Sequence, residues 1–337
     1  MWKQKFFDQQ YQDPNTNRSW AGTQDGNKYF VAYHHFDAEQ VPEGTKDLYL
    51  VDHLGGFRKG RCEFLDNLHR EYGNRWNIVT EYIDIPYKQD FFKNLEFHYM
   101  HDWSHAKDKL YPMAPNSVQH FVSCFNGSEN IGRTMTVAFL LKNYMWEKEV
   151  CSCNFMFQAV KVDGFIKHEV KNDRIVRKFF TTQGVWKPRG FNYQPFNHSH
   201  NVDILAHKIQ TTFLQLVTET QPDSDIPFVT EKFVYPVLSR RPFIAIAQPG
   251  WHKFLSDVMG FKLYDEIFDY SFDSEINPVK RWMGVYRQLI KLHTLPADDW
   301  IDILFEIKDK IDYNVDHYKS DDFMREVINY LKNQDEL

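Results

Sequence analysis

Cysteine is scarce in this chain, with four among 337 residues, and Cys62, Cys124, Cys151 and Cys153 make no paired C-x-x-C units. That argues against a structural zinc site and favours reduced thiols that pack as small hydrophobes. No run is long and apolar enough to span a bilayer, and the opening residues MWKQKFFDQQYQDPNTN lack the apolar centre of a secretory signal. The expectation is a soluble cytoplasmic protein without membrane insertion. Neither a G-x-G-x-x-G fingerprint nor a Walker phosphate loop occurs, so no nucleotide site can be assigned by motif alone. Positive charge is not in excess: the formal net charge is -6, so any nucleic-acid partner must meet a local basic patch rather than a global field. Internal repeats and low-complexity tracts are also missing.

Aromatic residues are plentiful. The 29 Phe, 18 Tyr and 9 Trp are ample for packed cores and argue against extended disorder. A length of 337 residues exceeds an ordinary single domain and predicts two.

Along the chain, short apolar runs alternate with helical periodicity. The first 27 residues are polar and predict an irregular arm; strands are predicted in KYFVAYHHF, LYLVDHLGGF, RWNIVTEYIDIPY and LEFHYMHDW, with a helix in EFLDNLHREYG. The proline-bearing YPMAPNS, residues 111–117, reads as a domain boundary. Beyond it VQHFVSCF predicts a strand, NGSENIG a loop and RTMTVAFLLKNYMW a helix, an order that presents backbone N–H groups to an anion. Residues 160–197 are basic and aromatic, and NVDILAHKIQTTFLQLVTET predicts a helix and then a strand delivering Glu219 at its end. Amphipathic helices close the chain. Strands alternating with helices imply parallel sheets. The predicted domains are 1–116, 117–295 and a helical segment 296–337.

The stretch from Pro227 to Asp273 orders charge, apolar run and turn in an unusual way: a Thr-Glu-Lys triplet, Arg240-Arg241, the strand-like PFIAIA and then Pro249-Gly250. With Glu219 upstream, and with Phe228-Val229-Thr230-Glu231-Lys232, Gly260-Phe261-Lys262 and Tyr264-Asp265-Glu266 through Tyr270-Ser271-Phe272-Asp273, it resembles the nucleotide-sugar-binding half of GT-B-fold glycosyltransferases, small phage and viral ones above all. The V-T-E-K element is similar to the donor-binding motif of the fucosyltransferase-like families. The resemblance covers residues 118 to about 295, and residues 1–115 match only as a generic α/β domain.

That resemblance implies two Rossmann-like α/β domains facing each other across a cleft, with C-terminal helices, and a nucleotide-sugar, UDP-linked by preference, as co-substrate. It implies a donor site of Arg133, Glu219, Thr230, Glu231, Lys232 and Arg241, in which Glu231 binds ribose hydroxyls, Lys232 and Arg133 neutralise the diphosphate and Arg241 supports them. The chemistry makes the same demand, because a leaving nucleoside diphosphate gains charge as the glycosidic bond breaks. Asp223 and Asp225 could bind a divalent ion, but they sit in the proline-flanked TQPDSDIP rather than at the end of an apolar strand. No obligatory metal is expected, although Mg or Mn could accompany the diphosphate.

Asp52 and His53, at the end of a predicted strand before Gly55-Gly56, are the candidate catalytic bases, with Asp102 and His105 as a second group. The expected acceptor is a hydroxymethylated base, hydroxymethylcytosine, in double-stranded phage DNA, which would place the protein in the host cytoplasm. Arg58, Lys59 and Arg61, with the basic stretch Lys161 to Arg189, would track phosphates, and Trp186 or Phe191 would assist an extruded base. A surface glycan, lipid or protein hydroxyl is the alternative acceptor, and a non-catalytic nucleotide-sugar-binding or interaction protein the alternative class.

Overall fold

The apolar runs become parallel strands in two separate sheets. A computed structural model describes residues 23–25, 28–32, 41–52, 76–80, 96–97, 109, 111–127, 130–146, 148–153, 198–223 and 227–320. The chain divides into two units, Met1–His101 with Ile328–Leu337, and Asp102–Val327.

In the first unit the described strands are β1 (Thr23–Asp25), β2 (Lys28–Ala32), β3 (Asp47–Asp52), β4 (Trp76–Thr80) and β5 (Glu96–Phe97), side by side in chain order. β1 lies in the expected irregular arm but pairs antiparallel with β2, from Thr23 opposite Phe30 to Asp25 opposite Lys28. The other pairings are parallel, with Leu48 to Asp52 facing Trp76 to Thr80. The expected helix over 63–73 lies outside the described residues.

The second unit holds a four-stranded parallel sheet of β6 (His120–Asn126), β7 (Val150–Cys153), β8 (Thr212–Thr218) and β9 (Phe243–Ile246), in the order β7-β6-β8-β9. Between these strands come α1 (Ile131–Lys142), α2 (His198–Gln210) and the short α3 (Val234–Leu238); α4 (Trp251–Asp257), α5 (Pro278–His293), α6 (Ala297–Glu306) and α7 (Lys308–Ser320) follow. Every residue of β8 and β9 is buried, as expected for strands covered on both faces. Before β7 begins, the Glu149 carboxylate continues the ladder, accepting the Phe121 and Val122 amides at 2.7 and 3.1 Å. α5 follows its sequence signals: Asn277 caps the amides of Val279 and Lys280, Pro278 takes the first helical position, and Trp282, Val285, Tyr286, Leu289 and Leu292 form the buried stripe. Tyr286 stacks on Phe139 of α1 at 4.2 Å.

The protein is therefore α/β, and its second sheet is compatible with a Rossmann-like domain. The division between the two units falls between residues 101 and 102. Residues 111–117 belong to the second unit, and two of their carbonyls are gripped from inside it. Gln210 Nε2 donates to Pro112 O, and Arg241 Nη2 donates to Ala114 O. α6 and α7 also belong to that unit. Cys124, Cys151 and Cys153 are buried without a disulfide, and burial pushes the Cys124 thiol up to about 12. No described helix is long and apolar enough to cross a membrane.

Candidate functional site

In the β7-β6-β8-β9 order the chain leaves β6 towards β7 on one side and later returns to β8 on the other. Connections that diverge in this way open a crevice beyond the carboxyl ends of the two central strands. The residues at those ends are polar and tied to one another. Asn126, the last residue of β6, accepts the Thr218 hydroxyl at 3.0 Å, while its Nδ2 donates to Ser152 O of β7 at 3.2 Å. One buried amide thus joins three strand ends.

Asn130 caps α1, accepting the Arg133 amide at 2.8 Å, and its Nδ2 donates to the carbonyls of Glu219 and Thr220 at 3.0 Å each. The start of α1 and the end of β8 are thereby locked together. Gly132 is required at this close approach, since a Cβ there would lie 2.6 Å from Pro222 Cγ and 3.1 Å from Ile246 Cγ2.

Glu219 directly follows β8 and is 0% exposed. Its carboxylate takes both polar groups of Thr230, the amide at 3.1 Å and the hydroxyl at 2.6 Å. This bond pair holds the 3-10 turn Glu231–Phe233, which leads into α3. Lys232 Nζ reaches back from that turn to Thr230 Oγ1 at 2.7 Å, Thr220 Oγ1 at 3.1 Å and Glu231 Oε1 at 3.2 Å, and stands 4.0 Å from Glu219 Oε2. Burial pushes the Glu219 carboxyl up, against the pull of Lys232 and the two Thr230 bonds. The side chains of Lys232 and Glu231 remain 18% and 13% exposed, so these two can meet a ligand while Glu219 cannot.

Five of the predicted donor residues are therefore gathered at one end of the sheet, with changed roles. Glu219 shapes the turn rather than facing solvent. Arg133 is 2% exposed, and its Nη2 donates to Thr218 O at 3.3 Å, so the guanidinium braces β8 from within. Arg241 is not brought to the group. It lies at the opposite end of β8, wholly buried, where it donates to the carbonyls of Thr212, Arg240, Ala114 and Gln210 and to Ser117 Oγ. Burial lowers this guanidinium to about 10. Arg240, its neighbour, sits at φ 55° and pairs with Asp312.

Asp52 ends β3, opposite Thr80 of β4. Among the described strands of that unit the order does not reverse. His53, Arg58, Lys59, Arg61, Asp102, His105, Asp225, Trp186, Phe191 and the stretch Lys161 to Arg189 lie outside the described residues. Among the described residues no group of three or more His, Cys, Asp or Glu could hold a metal ion.

Sequence reasoning missed Asn126, Asn130, Thr218 and Thr220. Asn130 carried a signal, being a cap residue just before a helical run, and starting the helix at Arg133 passed over it. The arrangement can do two things chemically: Lys232 offers an ammonium to an anion, and the Glu231 carboxylate offers an acceptor to hydroxyls. Comparison with protein-family models, with curated proteins and with solved structures finds no match to this chain.

Proposed function

We propose that the unit Asp102–Val327 binds a nucleotide-sugar and that the protein is a glycosyltransferase of the GT-B type. The observation that carries this reading is the convergence of Lys232, Glu231, Thr230 and Glu219 beside the switch point between β6 and β8, where parallel α/β sheets bind ligands. Lys232 takes the diphosphate, and Glu231 accepts from the ribose hydroxyls. Arg133 acts indirectly, by bracing the end of β8. As the sugar leaves, negative charge grows on the diphosphate, and an ammonium already held in place stabilises that state more than the ground state. A UDP-sugar is the favoured donor, and a divalent ion would accompany the diphosphate without a protein site of its own.

The acceptor we propose is a hydroxymethylated cytosine in double-stranded DNA, with Asp52 taking the hydroxyl proton. The support for this part is the sequence resemblance and the basic residues Arg58, Lys59 and Arg61 that follow β3.

The test is thermal unfolding with a panel of UDP- and GDP-sugars. A ligand at a hundred times its dissociation constant stabilises by about 2.7 kcal/mol, which is readily seen. A shift with one class identifies the nucleotide, and no shift with any of them removes the reading. Nucleoside mass spectrometry of hydroxymethylated DNA incubated with donor then decides the acceptor: an unchanged profile moves it to a glycan, lipid or protein.

A further inference from the structure

Glu219 is out of contact with solvent, yet it is linked to the surface through two hydrogen bonds in series. Lys232 Nζ donates to Thr230 Oγ1 at 2.7 Å, and the Thr230 hydroxyl donates to Glu219 Oε2 at 2.6 Å. A hydroxyl owns a single proton. It points at Glu219 because an ionised carboxylate can only accept, and this leaves a hydroxyl lone pair for the ammonium. A proton arriving on Oε2 reverses the first bond, for the hydroxyl must then accept from Glu219 and turn its own hydrogen away. That hydrogen then faces the ammonium, which has only donors. The ionised carboxyl therefore goes with Lys232 turned inward, and the neutral carboxyl with Lys232 turned outward.

We infer that Glu219, Thr230 and Lys232 form a proton-coupled latch, in which drawing the Lys232 ammonium outward onto a diphosphate is matched by uptake of a proton from solvent at Glu219. The identity of the diphosphate rests on the donor-binding reading above. Charge is conserved: the anion takes over Lys232 as its counter-ion, and the proton replaces Lys232 at Glu219. The coupling is reciprocal, because whatever anion binding does to proton affinity, proton binding does to anion affinity.

The surroundings suit this role. Burial already pushes the Glu219 carboxyl up, and Lys232 is the largest of the three influences holding it down, ahead of the two Thr230 hydrogen bonds. Glu231, on the same turn as Lys232, adds a like charge that favours the neutral form. From α1, Arg133 is directed to Thr218 O, and from α5, Arg281 is directed to the carbonyls of Pro222 and Ala247. β9 offers only the Ile246 carbonyl, which accepts the Glu219 amide at 3.0 Å, and has no charged residue.

Two measurements test the latch. In the ligand-free protein, the carboxylic-acid carbonyl band of Glu219 is followed by infrared spectroscopy against pH, with Glu219→Gln subtracted. In Lys232→Met, and in Lys232→Gln as a second variant, the acid band should persist to higher pH than in the wild type. An unmoved midpoint in both variants overturns the latch. The second measurement is calorimetry of UDP binding in two buffers of different ionisation heat. Proton uptake should be present in the wild type and lost in Glu219→Gln; UDP binding without uptake also overturns the latch. Absence of any UDP binding overturns the donor reading instead, and the infrared midpoint alone then decides the latch.

Discussion

His252 and Asp273 are joined both side chain to side chain and side chain to backbone. His252 Nδ1 lies 2.7 Å from Asp273 Oδ1, and the same oxygen accepts the His252 amide at 3.3 Å. Asp273 Oδ2 accepts the Lys253 amide at 3.0 Å, so the carboxylate caps the first turn of α4. Because the Ala245 amide donates to His252 Nε2 at 3.1 Å, the ring proton sits on Nδ1 and goes to Asp273. The pair thus clamps β9 to α4. A buried His–Asp pair invites a catalytic reading, but both ring nitrogens are engaged and His252 is 1% exposed.

Replacing His252 by Ala strands the Ala245 amide and leaves Asp273 buried without its ring partner. Loss of about 3 kcal/mol or more is expected, by urea unfolding, since buried donors and charges left unmatched are costly. A loss below about 1 kcal/mol would remove the clamp.

The two buried carboxyls should respond oppositely to pH. Burial also opposes ionisation at Asp273, but His252 and the two capped amides outweigh it and hold that carboxyl below its usual range. Its contribution is therefore present above the unfolded carboxylate range and lost as pH falls through the folded value. For Glu219, held above its usual range, the contribution is present at low pH and lost as pH rises through the folded value. Acidification should thus narrow the stability gap between wild type and Asp273→Asn and shift the balance against Glu219→Gln in favour of the wild type. Equal slopes in both comparisons would contradict the assignment.

Gly132→Ala drives a methyl into Pro222 at 2.6 Å and Ile246 at 3.1 Å, so the 220–222 loop must move. A cost of about 1–3 kcal/mol is expected from overpacking, together with weaker nucleotide binding because Asn130 loses its carbonyls. Gly284→Ala provides a control away from the crevice: its Cβ would meet Phe272 Cβ at 2.4 Å, so stability should fall without a separate effect on ligand affinity. Binding isotherms on the folded fraction of each variant distinguish the two.

Arg241 and Lys232 separate stability from function. Arg241→Ala removes donors from five buried or half-buried acceptors and should cost about 3 kcal/mol or more. Lys232→Ala, which takes away the influence opposing burial at Glu219, should cost clearly less stability than Arg241→Ala and weaken UDP binding about tenfold or more. Should both variants lose stability equally, Lys232 would be structural.

Much of the local structure is legible in the chain. Apolar runs bounded by turn residues marked β3, β4, β6, β8 and β9, and in β8 and β9 every residue is buried, as a strand covered on both faces requires. β7 escaped, since VCSC is short and its cysteines drew attention as thiols rather than as small buried side chains. β1 escaped because three polar residues form a strand only when a neighbour supplies the ladder.

Of the candidate site, the sequence by itself determined its members, Glu219 and Thr230-Glu231-Lys232, and their position after a buried strand. Their division of labour was decided by the tertiary structure. Glu219 and Thr230 are 11 residues apart and meet only because the end of β8 and the following turn fold together. Arg240 and Arg241 are adjacent and chemically alike, yet one pairs with Asp312 and the other is enclosed by backbone carbonyls from Ala114, Gln210 and Thr212. The reason is physical: periodicity records how often a side chain must be apolar, whereas the burial of a charged group depends on which distant acceptors surround it.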